Sequence, residues 1–243
     1  MSQRSAAFAA AILSMMLFAP SASGAMPPDV NAPPVAWPDA GAQPFVRRDA
    51  ANHPTAIGLV IPAATVKALP ARRSEAVYPL DTAGLVRSAN LQWHPQGHEP
   101  AHVYDVPHFD VHFYTIAEAV RRTIVPGSAA GTVKPAKAIL PPGVILAPGF
   151  VPMMGMHAIP AAQPEFNGGK FAISPIIGYW NGELAFFEVM FTKAWLQSNT
   201  GRDAAFPQPA SVHQHGWYPT RYSVHYDKAK DAYTVSLTHF RNR

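Results

Sequence analysis

Proline occurs at 26 of the 243 positions of this chain, and its distribution limits the helices that the chain can form. This is about twice the usual share of ~5%. A proline inside a helix removes a backbone hydrogen bond and clashes with the preceding turn, whereas loops and strand ends accept it. The sequence therefore favours strands joined by loops over long helices.

Two predicted hairpins indicate that these strands are antiparallel. Asn181 and Gly182 stand between two apolar runs, and this dipeptide is typical of a type I′ turn. A second hairpin is predicted from residues 221–226 and 233–240, because apolar and polar side chains alternate over 221–226. Further strands are predicted over residues 57–61, 85–93, 103–116, 144–146 and 150–154, and the last two of these could pair with each other. Short helices are predicted over residues 65–69 and 116–124. We predict a mainly β fold of the β-rich α+β class, with an antiparallel sheet or barrel and one or two short helices.

The N-terminus has the features of a secretory signal peptide. Residues 5–19 are apolar or small, and they are too few to span ~30 Å of hydrocarbon comfortably, which takes ~20 residues. Ser23 and Ala25 provide the small residues of a cleavage site, so cleavage is predicted after Ala25. The alternative is an uncleaved membrane anchor. A signal peptide over residues 1–25 predicts a periplasmic or secreted bacterial protein, with no membrane span after cleavage.

The remaining chain is predicted to have two parts. Residues 26–54 contain seven prolines and no periodicity, which is typical of an extended arm or linker. Residues 55–243 are predicted to form a single β-rich domain. The apolar share of 48% is sufficient for a folded core.

Composition excludes several classes of function. The absence of cysteine excludes disulfide scaffolds, thiolate zinc sites, cysteine nucleophiles and a bacterial lipoprotein anchor. Nineteen basic residues against fifteen acidic ones give a net charge of only +4, and the basic pairs are scattered. No nucleic-acid-binding motif accompanies them, so we predict no nucleic-acid partner.

Residues 94–112 hold five of the eleven histidines. The segment from His98 to His102 matches the H-E-x-x-H motif of zinc proteases, which requires both histidines on one helix. Pro100 would lie inside that helix, so we reject the protease interpretation. The five histidines are His94, His98, His102, His108 and His112.

A strict alternation over residues 108–114 predicts a strand with two different faces. One face carries Phe109, Val111 and Phe113, and the other carries His108, Asp110, His112 and Tyr114. Side chains two positions apart are about 6.7 Å apart and can converge on one ion. We predict a divalent-metal site in which Asp110 binds beside one flanking histidine or orients a ligating histidine. The alternative is a metal-free hydrogen-bonded network of the same side chains.

More distant residues could complete this site. His157 follows three methionines, a combination that suits copper(I), although such methionines more often fill cores. Glu188 interrupts an apolar strand, where it could be a ligand, a base with a raised pKa, or the partner of a buried cation such as Lys193 or an arginine. His213 and His215 are predicted to lie at the surface.

The predicted metal ligands combine the histidine-rich segment with one distant imidazole. Zinc is the first choice of ion, and copper, iron or manganese also fit such donors. Glu188 is the candidate catalytic acid or base. The ligand set is His98, His108, Asp110, His112 and His157.

Four segments of the chain resemble one known family. They are WHPQGHEP at 93–100, YDVPHFDVHFY at 104–114, PMMGMH at 152–157 and YWNGEL at 179–184. They resemble a bacterial family of largely exported proteins of unknown function, which has a structural representative from a thermophile. The resemblance covers residues 55–240 and implies a β-rich fold and assembly as a homo-oligomer, but no reaction. The matching positions are His98, His108, Asp110, His112, His157 and Glu188.

Three functions are compatible with these features. The first is an exported metal-binding protein, including a hydrolase-like or cupin-like enzyme, which stoichiometric metal after purification would support. The second is a non-catalytic small-ligand-binding or envelope-stress protein, which a metal-free apolar cavity would support. The third is an oligomer without a ligand, which a large interface that blocks the histidine-bearing face would support.

Overall fold

The computed structural model describes residues 34–82 and 84–243. Within these residues the chain forms thirteen strands and three short α-helices, α1 (Ala63–Lys67), α2 (Glu118–Arg121) and α3 (Lys193–Gln197). The strands are β1 (Val35–Ala36), β2 (Gln43–Arg48), β3 (Pro54–Pro62), β4 (Ser74–Pro79), β5 (Ser88–His94), β6 (His108–Tyr114), β7 (Val144–Leu146), β8 (Met156–Pro160), β9 (Ile173–Trp180), β10 (Glu183–Thr192), β11 (Arg202–Ala205), β12 (Trp217–Asp227) and β13 (Ala232–Asn242).

The strands form two sheets. The first has eight strands in the order β1-β4-β5-β6-β10-β9-β8-β7, and the second has five in the order β11-β12-β13-β3-β2. Every pair is antiparallel except β1 with β4. This confirms the mainly β, antiparallel prediction. Over the described residues neither sheet closes into a barrel, so the barrel alternative is wrong, and there are three short helices where one or two were predicted.

Both predicted hairpins are present. Asn181 and Gly182 join β9 to β10 with φ angles of 51° and 78°, the left-handed values that a type I′ turn requires at both positions. At the C-terminus, β12 pairs with β13 so that Tyr222 lies opposite Leu237, and both side chains are buried. Local turn chemistry and side-chain alternation are therefore sufficient to form these two units.

One predicted strand pair is wrong. Strand β7 covers residues 144–146 as predicted, but it pairs with β8 and not with residues 150–154. The latter segment instead folds back on itself through a bridge between Val151 and Gly155. Gly155 has a φ of 117°, which allows this tight return of the chain.

The predicted arm over residues 26–54 is corrected for its described part. From residue 34 onwards the segment belongs to both sheets, because β1 pairs with β4 and β2 pairs with β3. Trp37 and Ala40 are buried in the core, which offsets the entropy lost when this proline-rich segment becomes ordered. The predicted signal peptide, residues 1–25, lies outside the described residues. In the described part, no helix has the length and apolar character needed to cross a membrane.

The two sheets pack against each other through one apolar core. Leu91, Val111 and Val189 of the first sheet and Leu59 and Val235 of the second are completely buried in it. The predicted apolar face of β6 therefore points between the sheets.

The opposite face of the eight-stranded sheet is covered by loops. Their apolar side chains form a second cluster over this face, which shields the polar side of β6 from solvent. As a result His108, Asp110 and His112 are each no more than 1% exposed. The covering side chains include Val103, Tyr104, Ile124, Met154, Phe166 and Phe171.

Candidate metal centre

Strand register brings the polar side chains of three neighbouring strands together. β6 lies between β5 and β10 at the centre of the eight-stranded sheet. His94 of β5 is directly opposite His108, and Glu188 of β10 is directly opposite His112. Directly opposite residues in an antiparallel pair point to the same face of a sheet. The face of β6 that carries Asp110 is thereby extended on both sides.

The first group of ligand atoms, the Asp110 cluster, consists of His94, His98, His108 and Asp110. Oδ2 of Asp110 is 2.9 Å from Nε2 of His94 and 3.2 Å from Nε2 of His98. Oδ1 of Asp110 is 3.2 Å from Nε2 of His108. Only His98, which comes from the loop after β5, reaches solvent, with 28% of its side chain exposed.

Two rings of the Asp110 cluster are held with Nε2 facing the carboxylate. The Nδ1 atoms of His98 and His108 donate to the carbonyl oxygens of Glu99 and Val106 over 2.6 and 2.7 Å. A carbonyl oxygen can only accept, so Nδ1 carries the proton and Nε2 of the neutral ring presents a lone pair.

Each of these lone pairs is 3.2 Å from an oxygen of Asp110, and two electron-rich atoms repel at that distance. His108 Nε2 and Asp110 Oδ1 are both buried and form no hydrogen bond. Protonating both rings would place two imidazolium ions against a single carboxylate, and the one on the fully buried His108 would carry a large desolvation penalty. A metal ion between the nitrogens and the carboxylate would satisfy all of these atoms.

His94 is held in a different way. The side-chain amide of Gln92 donates to Oε1 of Glu75 over 2.7 Å, so the amide oxygen of Gln92 faces Nε2 of His94 at 3.3 Å. That oxygen and Oδ2 of Asp110 are both acceptors, and Nε2 of His94 therefore carries a proton between them. Burial lowers the pKa of His94 to about 3, which keeps the ring neutral. His94 thus positions Asp110, and it could act as a fourth ligand if its proton moved from Nε2 to Nδ1.

The second group, the Glu188 cluster, consists of His112, His157 and Glu188. Nε2 of His112 is 3.4 Å from Oε1 of Glu188, and Nε2 of His157 is 3.8 Å from Oε2. Nδ1 of His157 donates to the carbonyl oxygen of Gly155 over 3.1 Å, which again turns Nε2 toward the carboxylate. This cluster therefore repeats the arrangement of two imidazoles and one carboxylate.

The two carboxylates have opposite electrostatic surroundings. Burial, together with repulsion from Asp110, raises the pKa of Glu188 well above its usual value. Burial also acts to raise the pKa of Asp110, but attraction to His94, whose Nε2 carries a proton toward Oδ2 at 2.9 Å, opposes it, and that pKa is held well below the usual value. Burial lowers the pKa of His112 strongly and that of His157 to about 4. Without a cation, burial therefore disfavours charge on each member of the Glu188 cluster.

The structure divides the predicted ligand set between the two clusters. His98, His108 and Asp110 lie together, whereas His112 and His157 lie with Glu188. The expectation that His157 approaches Asp110 is therefore replaced by a contact with Glu188, because β8 pairs beside β9 on the far side of β10. His157 lies in strand β8.

Among the described residues, Glu188 does not pair with a buried lysine or arginine, which was one of its predicted roles. In the described part of the chain its ionisable neighbours within 4 Å are two histidines, and the buried Arg121 pairs with Glu75 and Glu118 instead. Pairing of Glu188 with Lys193 or an arginine is therefore wrong. Glu188 lies with these two histidines in a group that could hold a metal ion.

Sequence reasoning missed His94 as a member of the site. The predicted strand ended at residue 93, one position before His94. Aligning the two strands as a hairpin would have placed His94 opposite His108 and so revealed its membership of the site. The side chain of His102 is 87% exposed. Of the two histidines in the H-E-x-x-H match, therefore, His98 belongs to the site and His102 lies at the surface. His213 and His215 are exposed, as predicted.

The two clusters contain the side chains that metal sites in proteins commonly use. Two buried groups of histidine and carboxylate side chains, each with its ligand atoms within 4.8 Å of one another, could hold metal ions. Comparisons with known protein families, with curated proteins and with solved structures find no match for this chain.

Proposed function

We propose that this protein binds a divalent metal ion at the Asp110 cluster. One observation carries the proposal. The Nδ1 protons of His98 and His108 are committed to main-chain carbonyls, so that both Nε2 lone pairs point at the carboxylate of Asp110. This is how ligating histidines are commonly oriented, with the second ring nitrogen bonded to a carbonyl.

Zinc is the ion that we propose. Imidazole nitrogens with one carboxylate oxygen are standard zinc donors, and a four-residue cluster suits tetrahedral coordination. Copper, iron and manganese also bind such donors, and competition among the four ions distinguishes them. The ligands must be deprotonated to bind, a condition that the neutral ring of His94 and the ionised Asp110 favour.

The sizes of two pockets favour metal binding over the binding of a small apolar ligand. A pocket bordered by Ile139, Tyr179 and Phe187 has a volume of about 20 Å³, and a second pocket, bordered by Arg48, Thr82 and Trp217, has a volume of about 110 Å³. Both volumes are smaller than that of a typical ligand pocket, ~300 Å³ or more. Tyr179 and Phe187 belong to the apolar core.

We also propose that the protein is exported. The short apolar run at residues 5–19 and the small residues before Ala25 support this proposal. Intact-mass measurement of protein from the periplasm or medium should give a chain that begins at Met26. Recovery of the full-length chain from that fraction would contradict cleavage at this site.

Elemental analysis tests the metal proposal directly. Protein purified without a histidine tag should carry at least one zinc ion per chain, as isolated or after zinc titration and desalting. His98→Ala should weaken zinc binding by tenfold or more, because it removes a ligand whose partial exposure makes the variant tolerable for folding. His102→Ala is the matched control, since it removes an exposed imidazole from the same loop. Absence of bound metal in both preparations would overturn the proposal.

A further inference from the structure

We infer that the Glu188 cluster is a second metal site, whose ion keeps one coordination position free for a small external ligand. The inference rests on the proposed function, because both clusters use the same kind of donors. It adds a second ion with a free coordination position. The Asp110 cluster, which has four residues including Asp110, does not require such a position.

Unpaired polar atoms provide the first argument. His112 is completely buried, and neither of its ring nitrogens has a hydrogen-bond partner. Oε2 of Glu188 is also buried without a partner. Buried polar atoms in native proteins are nearly always bonded, so the unpaired Nε2 of His112 and Oε2 of Glu188, which lie in one cluster, indicate a missing partner.

A direct ion pair between these side chains does not supply that partner. The nitrogen–oxygen distances of 3.4 and 3.8 Å to His112 and His157 exceed normal hydrogen-bond lengths. The separations are wide enough for a cation to lie among the three side chains. Main-chain pairing fixes the side chains in this arrangement, since His112, His157 and Glu188 each lie within a strand of the same sheet.

The number of protein ligands provides the second argument. Zinc takes four ligands, and sites with three protein ligands keep a fourth position for water or another small molecule. Two histidines and one glutamate form such a set, and two histidines with one carboxylate also form the open sites of non-haem iron. The Glu188 cluster has this composition.

Access and charge define the external ligand. His112 and Glu188 are at most 2% exposed, whereas 14% of the His157 side chain is exposed, so solvent reaches the cluster at the His157 edge. Because so little of the cluster is exposed, we expect it to admit only water, hydroxide or a small anion. A divalent ion with a single carboxylate retains one positive charge, which favours an anionic ligand.

Cobalt(II) loading tests the inference, because cobalt replaces zinc and its visible absorption reports its ligands. Wild-type protein should bind about two cobalt ions per chain. Glu188→Gln, which keeps the shape of the side chain, should bind one, and Asp110→Asn should also bind one. Sodium azide, a small anion, should change the visible spectrum of cobalt-loaded Asp110→Asn and leave that of cobalt-loaded Glu188→Gln largely unchanged. His157→Ala, at the exposed edge, is a second variant that should bind one ion.

The outcomes separate the two proposals. No cobalt in the wild-type protein would overturn metal binding as a whole. One ion in the wild-type protein, retained in Glu188→Gln and in His157→Ala, would overturn the second site and leave the Asp110 cluster standing. Two ions in the wild-type protein without an azide response in Asp110→Asn would overturn the free coordination position. Circular dichroism shows whether each variant is folded, and the conclusion on the second site is taken from whichever of the two variants folds.

Discussion

The side-chain amide of Gln92 donates to Glu75 over 2.7 Å, and this contact determines the role of His94. Arg121 holds Glu75 through two further hydrogen bonds of 3.0 and 3.1 Å. With its amide nitrogen engaged, Gln92 can present only its oxygen to His94. A buried chain of polar contacts therefore runs from Arg121 to the carboxylate of Asp110.

Replacing Gln92 with leucine should weaken the Asp110 cluster selectively. Without the amide oxygen, His94 loses one of the two acceptors that orient its ring, and such supporting contacts typically change metal affinity by about 10–100-fold. Competition titration with a chromophoric chelator measures the affinity. Gln214→Leu is the control, because Gln214 is exposed. Equal affinities in both variants would contradict an orienting role for Gln92.

The metal-free protein should lose stability as the pH falls from 7 to 5. Burial lowers the pKa values of His94 to about 3 and of His157 to about 4, and it also lowers that of His112. An unfolded chain takes up protons on these rings near pH 6.5 while the folded chain does not, so acid favours unfolding. Each ring that stays neutral at pH 5 contributes up to about 2 kcal/mol to this loss.

Two buried carboxyls act in the opposite direction but do not reverse the trend. Burial raises the pKa values of Glu188 and Glu165, so each favours the folded chain at low pH and loses that contribution as the pH rises above about 4.3. The pKa of Glu188 is strongly shifted, whereas the pKa of the partly buried Glu165 is raised less, so we expect the three imidazoles to outweigh the two carboxyls between pH 7 and 5. We expect thermal unfolding with EDTA to show a Tm about 5 °C or more lower at pH 5. A flat or rising Tm would argue against neutral buried imidazoles.

Zinc should raise the thermal stability of the protein at pH 7. An ion that binds only the folded chain at 100 times its Kd adds about 2.7 kcal/mol, which for a chain of this size corresponds to roughly 5–10 °C in Tm. Differential scanning fluorimetry with zinc and with EDTA measures the difference. The double variant Asp110→Asn/Glu188→Gln should show no such shift, and a shift of equal size in it would place the stabilising ion elsewhere.

Gly178→Ala should disrupt the Glu188 cluster. A Cβ at Gly178 would overlap the ring of Phe186, and that ring contacts both His112 and His157 at centroid distances of 5.0 and 5.1 Å. Displacing the ring pushes the two imidazoles away from Glu188. We expect a loss of about 1–3 kcal/mol in the free energy of unfolding, as is usual for overpacking, together with loss of one bound cobalt ion.

Gly84→Ala is the matched control for this substitution. A Cβ at Gly84 would lie no closer than 3.5 Å to its neighbours, which is an ordinary van der Waals contact. Chemical denaturation and metal analysis on both variants make the comparison. Two bound ions in a folded Gly178→Ala variant would show that Phe186 does not position the imidazoles.

Side-chain alternation predicted which face of β6 is polar, but not which residues share a cluster. The split between Val111 and Asp110 follows from the period of a strand and is visible in seven residues. The meeting of His112 with Glu188 depends on the pairing of two strands that are distant in sequence, and neither strand specifies its neighbour alone. The same reason explains His94, since the end of β5 is set by its pairing with β6.

The proline-rich segment before β3 shows a second limit of local reasoning. Its composition is typical of a linker, yet Trp37 is buried and both short strands in the segment find partners. Prolines are tolerated because β1 and β2 lie at the edges of their sheets, where a missing N–H group has no partner to lose. Edge position is a property of the whole sheet and not of the segment.

The two clusters differ in the length of chain that must be ordered before their ligands meet. All ligands of the Asp110 cluster lie between residues 94 and 110, on one hairpin of adjacent strands and its loop, whereas the Glu188 cluster joins residues 112, 157 and 188. The entropy of loop closure is smaller for the first set, and local hairpins form earlier in folding than distant strand pairs. If both clusters bind ions as proposed, a folding chain would capture its first ion while much of the large sheet is still unformed, and it would accept the second only when β6, β8 and β10 have assembled.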